Sequence, residues 1–165
     1  MHIHQMAAIM TAPAFGSSDE IARQAVASAR GWLGTPYRKR ASTRGSGADC
    51  LGLLRGIWRD LCGDEPCVLP MYSDDWLELS SRDLLLDRLR ETLHARDADC
   101  REPGRVAAFR FGRNNTCKHV GILTTQNGAP AIIHSYFRFG VVETTLDQSW
   151  QRRLFAVFEF PSRSI

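Results

Sequence analysis

The sequence predicts an α+β domain in which helices come first and a mostly antiparallel sheet of about five strands follows. In the first half, apolar residues recur at helical spacing. In the second half stand five short runs rich in β-branched and aromatic residues, separated by turn formers such as "GRNN" and "QNGAP". Helices in one half and strands in the other make α+β the expected class.

A chain of 165 residues with 44% apolar and 24% charged side chains is the size of one ordinary domain and can bury a real core. Residues 16–165 are read as that domain and residues 1–15 as an N-terminal arm. The net charge of +3 is too mild to imply nucleic acid, yet it suits a substrate that carries carboxylates. Five cysteines at irregular spacing argue against a disulfide framework and for synthesis in a reducing compartment. No stretch approaches the ~20 apolar residues of a membrane span. The opening "MHIHQMAAIMTAPAFG" has no Lys or Arg before its faintly apolar centre, so it makes a poor secretion signal.

Taken in order, "SSDEIARQAVASARGWLG" begins with a Ser-x-x-Glu capping box, Ser17 to Glu20. It sets Ile21, Ala25, Ala29 and Trp32 at helical spacing before Gly34 and Pro36 end the helix. A Gly-, Ser- and Arg-rich loop, "TPYRKRASTRGSGA", delivers the chain to Cys50. Leu54, Ile57, Trp58 and Leu61 then form one apolar stripe that Gly63 terminates, so Cys50 sits at or near the first turn of a second helix. Gly52 and Gly56 cost about 1 kcal/mol each there relative to Ala, which a sheet lying close against the helix would offset. "PCVLPMYSDDW" reads as an extended connection, and "SSRDLLLDRLRETLHARD" as a third helix with Leu85, Leu86, Leu89 and Leu93 turned inward. The strands are "GRVAAFRFG", "KHVGILTT", "AIIHSYFRF", "VVETTL" and "LFAVFEF".

A hairpin turning at Asn127-Gly128 pairs residues whose numbers sum to 255. His119 and His134 sum to 253, which makes them diagonal neighbours on one face, roughly 7 to 8 Å apart at the backbone. A two-residue shift would set them directly opposite, and a one-residue slip would separate them. A thiol at a helix start, an imidazole on the sheet packed against it and a second ring behind are the parts of a cysteine nucleophile. Bringing a thiol from pKa ~8.5 to below neutrality takes about 2 kcal/mol. A helix terminus supplies only about 0.3 to 1 kcal/mol of that. An imidazolium at His119 is expected to supply the rest, with His134 fixing its tautomer. Asp49 is read as a support for the turn or a contact for a substrate amine, and beside the sulfur it would oppose ionisation unless it points away.

The pieces "WLGTPYR", "GADCLGLLRGIW", "KHVGIL" and "IIHSYFRFGVVETTL", in that order, resemble the NlpC-type cysteine peptidases. That papain-like group hydrolyses peptide bonds in bacterial cell-wall stem peptides. The resemblance runs from about Ala22 to Phe160. It implies a papain-like fold without a cofactor, with Cys50 as nucleophile, His119 as general base and His134 as the third polar residue. Tyr37 then lines the cleft, and Asp49 is the acid before the nucleophile. The implied substrate is the peptidoglycan stem peptide, cut between D-glutamate and the diamino acid. Two departures stand out: Leu51 replaces the usual serine after the nucleophile, and Pro103-Gly104-Arg105 replaces Pro-Gly-Asp. The "WRDLCGDEP" connection and the "YSDDW" segment resemble the subgroup encoded among tail genes of phages and gene transfer agents. This implies tail proteins as partners and action at a virion tail or cell wall after synthesis in the cytoplasm.

Other readings use the same residues. If Cys117 and His119 alternate onto one strand face, then with His134 and Cys50 they would make four zinc ligands. The spacing matches no common zinc motif, and a metal-bound thiolate could not act as nucleophile, so no metal is expected. A non-catalytic tail or wall-binding component with the same fold is a second reading. A thioester-forming acyltransferase, in which an amine replaces water as acceptor, is a third. The basic run Arg38, Lys39, Arg40 and Arg44 reads as a solvated loop able to face cell-wall carboxylates, and Trp32 and Trp58 read as core.

Overall fold

The capping signal near the N-terminus places helix α1 (Ser18–Gly31): Ser17 Oγ accepts the Glu20 N–H at 3.3 Å. Only half of the expected box forms, because the Glu20 carboxylate turns to Arg23 and Gln24 instead. Ala25, Ala29 and Trp32 are buried as their spacing requires, while Ile21 is only partly buried and Ala22 beside it is buried instead. The structure is a computed structural model that describes residues 17–66 and 83–162. The expected arm 1–15 and the connection at residues 67–76, with its "YSDDW" segment, lie outside the described residues.

Within the loop after α1, strands β1 (Ser42–Thr43) and β2 (Gly47–Ala48) pair as a small ribbon that the loop composition did not announce. Helix α2 (Cys50–Cys62) follows at once and ends at Gly63, whose φ of 85° lies in the region that favours glycine. Its two interior glycines are explained differently from the sequence expectation. A Cβ at Gly52 would stand 1.8 Å from the Ala41 carbonyl oxygen, and one at Gly56 would stand 1.9 Å from the Trp32 ring. The preceding loop and α1, not the sheet, press against this face of the helix.

Helix α3 (Leu84–Thr92) starts at the Asp83 cap and buries Leu85, Leu86, Leu89 and Leu93. It is shorter than its periodicity suggests. Leu93 adopts extended backbone (φ −114°, ψ 159°), which keeps its side chain inside and turns the chain into strand β3 (His94–Arg96). Strands β4 (Val106–Phe111), β5 (Thr116–Gln126), β6 (Ala129–Tyr136) and β7 (Gly140–Thr145) come next, then the short helix α4 (Gln148–Arg153) and strand β8 (Leu154–Glu159). The sheet runs β3-β8-β4-β5-β6-β7 with every neighbouring pair antiparallel. It thus has six strands where five were expected, the extra one being the tail of the anticipated third helix.

One face of the sheet, with Val106, Ala108, Val120, Ile122 and Ile133, packs on the helices through Leu53, Ile57 and Leu85. The opposite face gathers Ala107, Phe109, Leu123, Ile132 and Leu146, with Trp150 of α4 against them. A buried cation closes the sheet to α1. Arg105, 3% exposed at the start of β4, bonds Ser18 and Glu102 and pairs with Glu159 at the end of β8. Among the described residues no helix is long and apolar enough to cross a membrane. The Gly52 contact gives a direct test: Gly52→Ala should lose about 2 kcal/mol in urea unfolding, because the clash with a backbone oxygen outweighs the gain in helix propensity.

Candidate active site

The turn before α2 is built around one carboxylate. Asp49 takes extended backbone, and its Oδ1 accepts the Gly52 N–H while Oδ2 accepts the Arg40 N–H, both at 2.7 Å. Of its two expected roles, the structure displays the support of the turn. Cys50 therefore sits at the first residue of α2, partly exposed, in a fixed position. The backbone of Val120, Leu51 and Cys50 itself lies near its sulfur and favours the anion. Burial outweighs them, the Asp49 charge adds to it, and the thiol is pushed up to about 12.

His119 stands on β5, one residue before Val120. Its direction is set by a bulge: Phe109 pairs with His119 and Arg110 with Cys117, so Lys118 is the extra residue. Cys117 and His119 thereby face opposite sides of the sheet, contrary to the simple alternation expected of them. Cys117 lies in the core beneath the helices, with its sulfur 3.9 Å from the His119 carbonyl oxygen. Among the described residues no cluster of His, Cys, Asp or Glu side chains has the grouping of a metal site.

The turn between β5 and β6 has the expected form. Asn127 and Gly128 carry φ of 51° and 77°, and Ile122 pairs with Ile133 in the register of sum 255. That register brings the two rings together: His119 Nε2 lies 2.8 Å from His134 Nδ1. His134 Nε2 lies in turn 3.1 Å from Thr144 Oγ1 on β7. Trp150 packs on both imidazoles, with centroids at 5.4 and 4.9 Å, while Tyr136 stacks on His134 at 5.6 Å and 20°. Phe109 and Phe111 close the side near His119. With the rings only 8% and 1% exposed, burial lowers His119 to about 3, helped by the neighbouring His134, and His134 to about 4.

Burial thus opposes charge on both partners. Both shifts run against the ion pair expected from sequence, since each disfavours the charged form of its group. Tyr37 stands near the sulfur: burial raises its hydroxyl pKa first, and proximity to Cys50 and Asp49 raises it further. Its ring meets Phe137 edge-on at 5.6 Å. Ser135 Oγ donates to the Ala48 carbonyl at 2.6 Å, tying the His134 strand to the residue two before Cys50. Sequence reasoning missed Ser135, Tyr136, Thr144 and Trp150. The first three were legible in principle from the β6–β7 register, whose pairs His134 with Val142 and Tyr136 with Gly140 put Thr144 diagonal to His134.

No protein-family model matches the sequence, and no curated protein matches it. Solved structures do. A Staphylococcus aureus protein described as similar to lipoprotein, of the NLP/P60 family, is 18% identical with a TM-score of 0.56, over 91% of this chain and 44% of that one. An NlpC/P60 family protein of Bacillus cereus is 18% identical with a TM-score of 0.58, over 87% and 43%. The NlpC/p60 domain of the peptidoglycan hydrolase SagA is 18% identical with a TM-score of 0.52, over 84% and 98%. The chain spans less than half of the first two proteins and nearly all of the third domain, and it has their fold.

The two depressed imidazoles make a stability prediction. The unfolded chain takes up protons near pH 6.5 that the folded state refuses, so their contribution is complete above that pH and is lost as pH falls toward 4. Urea unfolding at pH 7.5 and pH 5 should show a loss of about 1 to 3 kcal/mol at the lower pH, and His134→Gln should shrink that difference.

Proposed function

We propose that the protein is a cysteine peptidase acting on amide bonds of bacterial cell-wall stem peptides. The observation that carries this reading is the buried His119–His134 hydrogen bond, on a strand whose next residue, Val120, has its backbone near the Cys50 sulfur. Nucleophile, base and orienting ring are then Cys50, His119 and His134. The fold shared with the domain of a peptidoglycan hydrolase supports the substrate class.

Because burial disfavours charge on both partners, the thiolate forms during attack. The sulfur forms a bond to the amide carbonyl carbon as its proton passes to His119, through the ring nitrogen that His134 does not engage. His119 then gives this proton to the departing nitrogen, the C–N bond breaks, and a thioester remains on Cys50. Water attacks the thioester carbon, loses its proton to His119, and the regenerated thiol takes that proton back. The Cys50 N–H, in the first turn where the helix ladder leaves it unused, is the oxyanion donor. Tyr37 and Phe137 form a wall of the cleft. The scissile bond between D-glutamate and the diamino acid, Asp49 as a contact for a substrate amine, and the association with phage or gene-transfer-agent tails rest on the sequence resemblance. An acyltransferase would differ only in the acceptor of the acyl group.

A second reading has its own observation. The thiol held at about 12 and the Leu51 that follows it suit a component keeping the fold for wall binding or assembly, without turnover. Muropeptide mass spectrometry separates the two. Purified peptidoglycan should release peptides with the wild-type protein, and Cys50→Ala should reduce release by at least a thousandfold while leaving circular dichroism unchanged. Equal release from both proteins refutes the nucleophile; none from either favours the binding role. Iodoacetamide labelling of Cys50 should quicken about tenfold per pH unit from pH 7 to 9, since the raised thiol pKa leaves the thiolate scarce throughout that range.

A further inference from the structure

The mechanism requires His119 to present a lone pair to the sulfur, and neutral imidazole has two tautomers. The hydrogen bonds run in one line from Thr144 Oγ1 through His134 Nε2 and Nδ1 to His119 Nε2. Two proton arrangements satisfy that line. In the outward one, Thr144 donates to His134, His134 Nδ1–H donates to His119, and His119 is left with its proton on Nδ1. That form cannot take a proton from the thiol. In the inward one, His119 Nε2–H donates to His134 Nδ1 and His134 Nε2–H donates to the Thr144 oxygen. Only this arrangement leaves His119 Nδ1 free as a base.

The choice falls on the end of the line, because each ring in the middle merely passes the direction along. His134 is 1% exposed, stacked on Tyr136 and met edge-on by Trp150, so no bulk water replaces a partner at its Nε2. Thr144 is partly exposed, on β7, whose pairing with β6 puts it diagonal to His134. Its hydroxyl can turn its own proton toward solvent and offer the oxygen inward. We propose that Thr144 is a positioning residue: by accepting from His134 Nε2–H it selects, through the second imidazole, the tautomer in which His119 acts as base. This rests on the peptidase reading for its catalytic consequence, but the tautomer itself is observable without turnover.

Thr144→Val keeps the β-branched shape and removes the acceptor; Thr144→Ser keeps the hydroxyl. The Val variant should lose roughly three- to tenfold in kcat on peptidoglycan fragments with KM unchanged within twofold, the scale of one neutral hydrogen bond, and the Ser variant should recover most of it. In wild-type protein, imidazole 15N correlation spectra at pH 7 should show both His119 and His134 protonated on Nε2. The Val variant should shift both toward Nδ1 or to a mixture. A wild-type His119 protonated on Nδ1 overturns the proposal, as does a Val variant with unchanged tautomers, or an active Val variant with wild-type kcat. A kcat loss that Ser fails to restore overturns it too. If the wild-type protein releases no peptide, the peptidase reading fails while the spectra still decide the role of Thr144.

Discussion

Two imidazoles share a 2.8 Å hydrogen bond inside an enclosure of Phe109, Tyr136 and Trp150, where burial disfavours charge. Much of the sheet serves that contact. The tight Asn127-Gly128 turn holds the hairpin in the register that puts both rings on one face, and the bulge at Lys118 keeps Cys117 out of the way on the other. Trp150 reaches the rings because the chain makes a short helix before returning as β8. The dryness that keeps the rings neutral also makes the hydrogen bond between them strong and directional.

The nucleophile side obeys a different constraint, the need to satisfy backbone groups at a helix start. Asp49 spends both carboxylate oxygens on N–H groups, one within α2 and one in the loop before it. Its negative charge is then an unavoidable neighbour of the sulfur and adds to the burial that holds the thiol protonated. Structural order at this turn and easy ionisation of the thiol pull against each other. A site built this way relies on a well-aimed base more than on a thiolate waiting at rest.

Local patterns were legible in the sequence wherever one physical period dominated. The capping residues, the apolar stripes of α1 and α2 and the hairpin register all follow from spacing alone, and with them the meeting of His119 and His134. What escaped depended on competition between neighbours. The helical spacing around Leu93 runs on unbroken, but pairing with β8 offers the backbone of His94–Arg96 a better set of partners than another turn of helix. Gly52 and Gly56 signalled a close approach without naming the neighbour. The burial of the two imidazoles was hidden because Phe111, Tyr136 and Trp150 are brought against them from three separate elements only by the fold. Thr144 lies one strand beyond the β5–β6 hairpin, in a pairing that no turn signal of that hairpin sets.

Arg105, where a related pattern has an acid, holds Ser18 at the start of α1 and Glu159 at the end of the last strand, and Ser18 also bonds Glu159 directly. The folded body therefore begins and finishes at the same corner. One buried guanidinium thus ties the first turn of the first helix to the last residue of the last strand, so removing it would loosen both ends of the fold together.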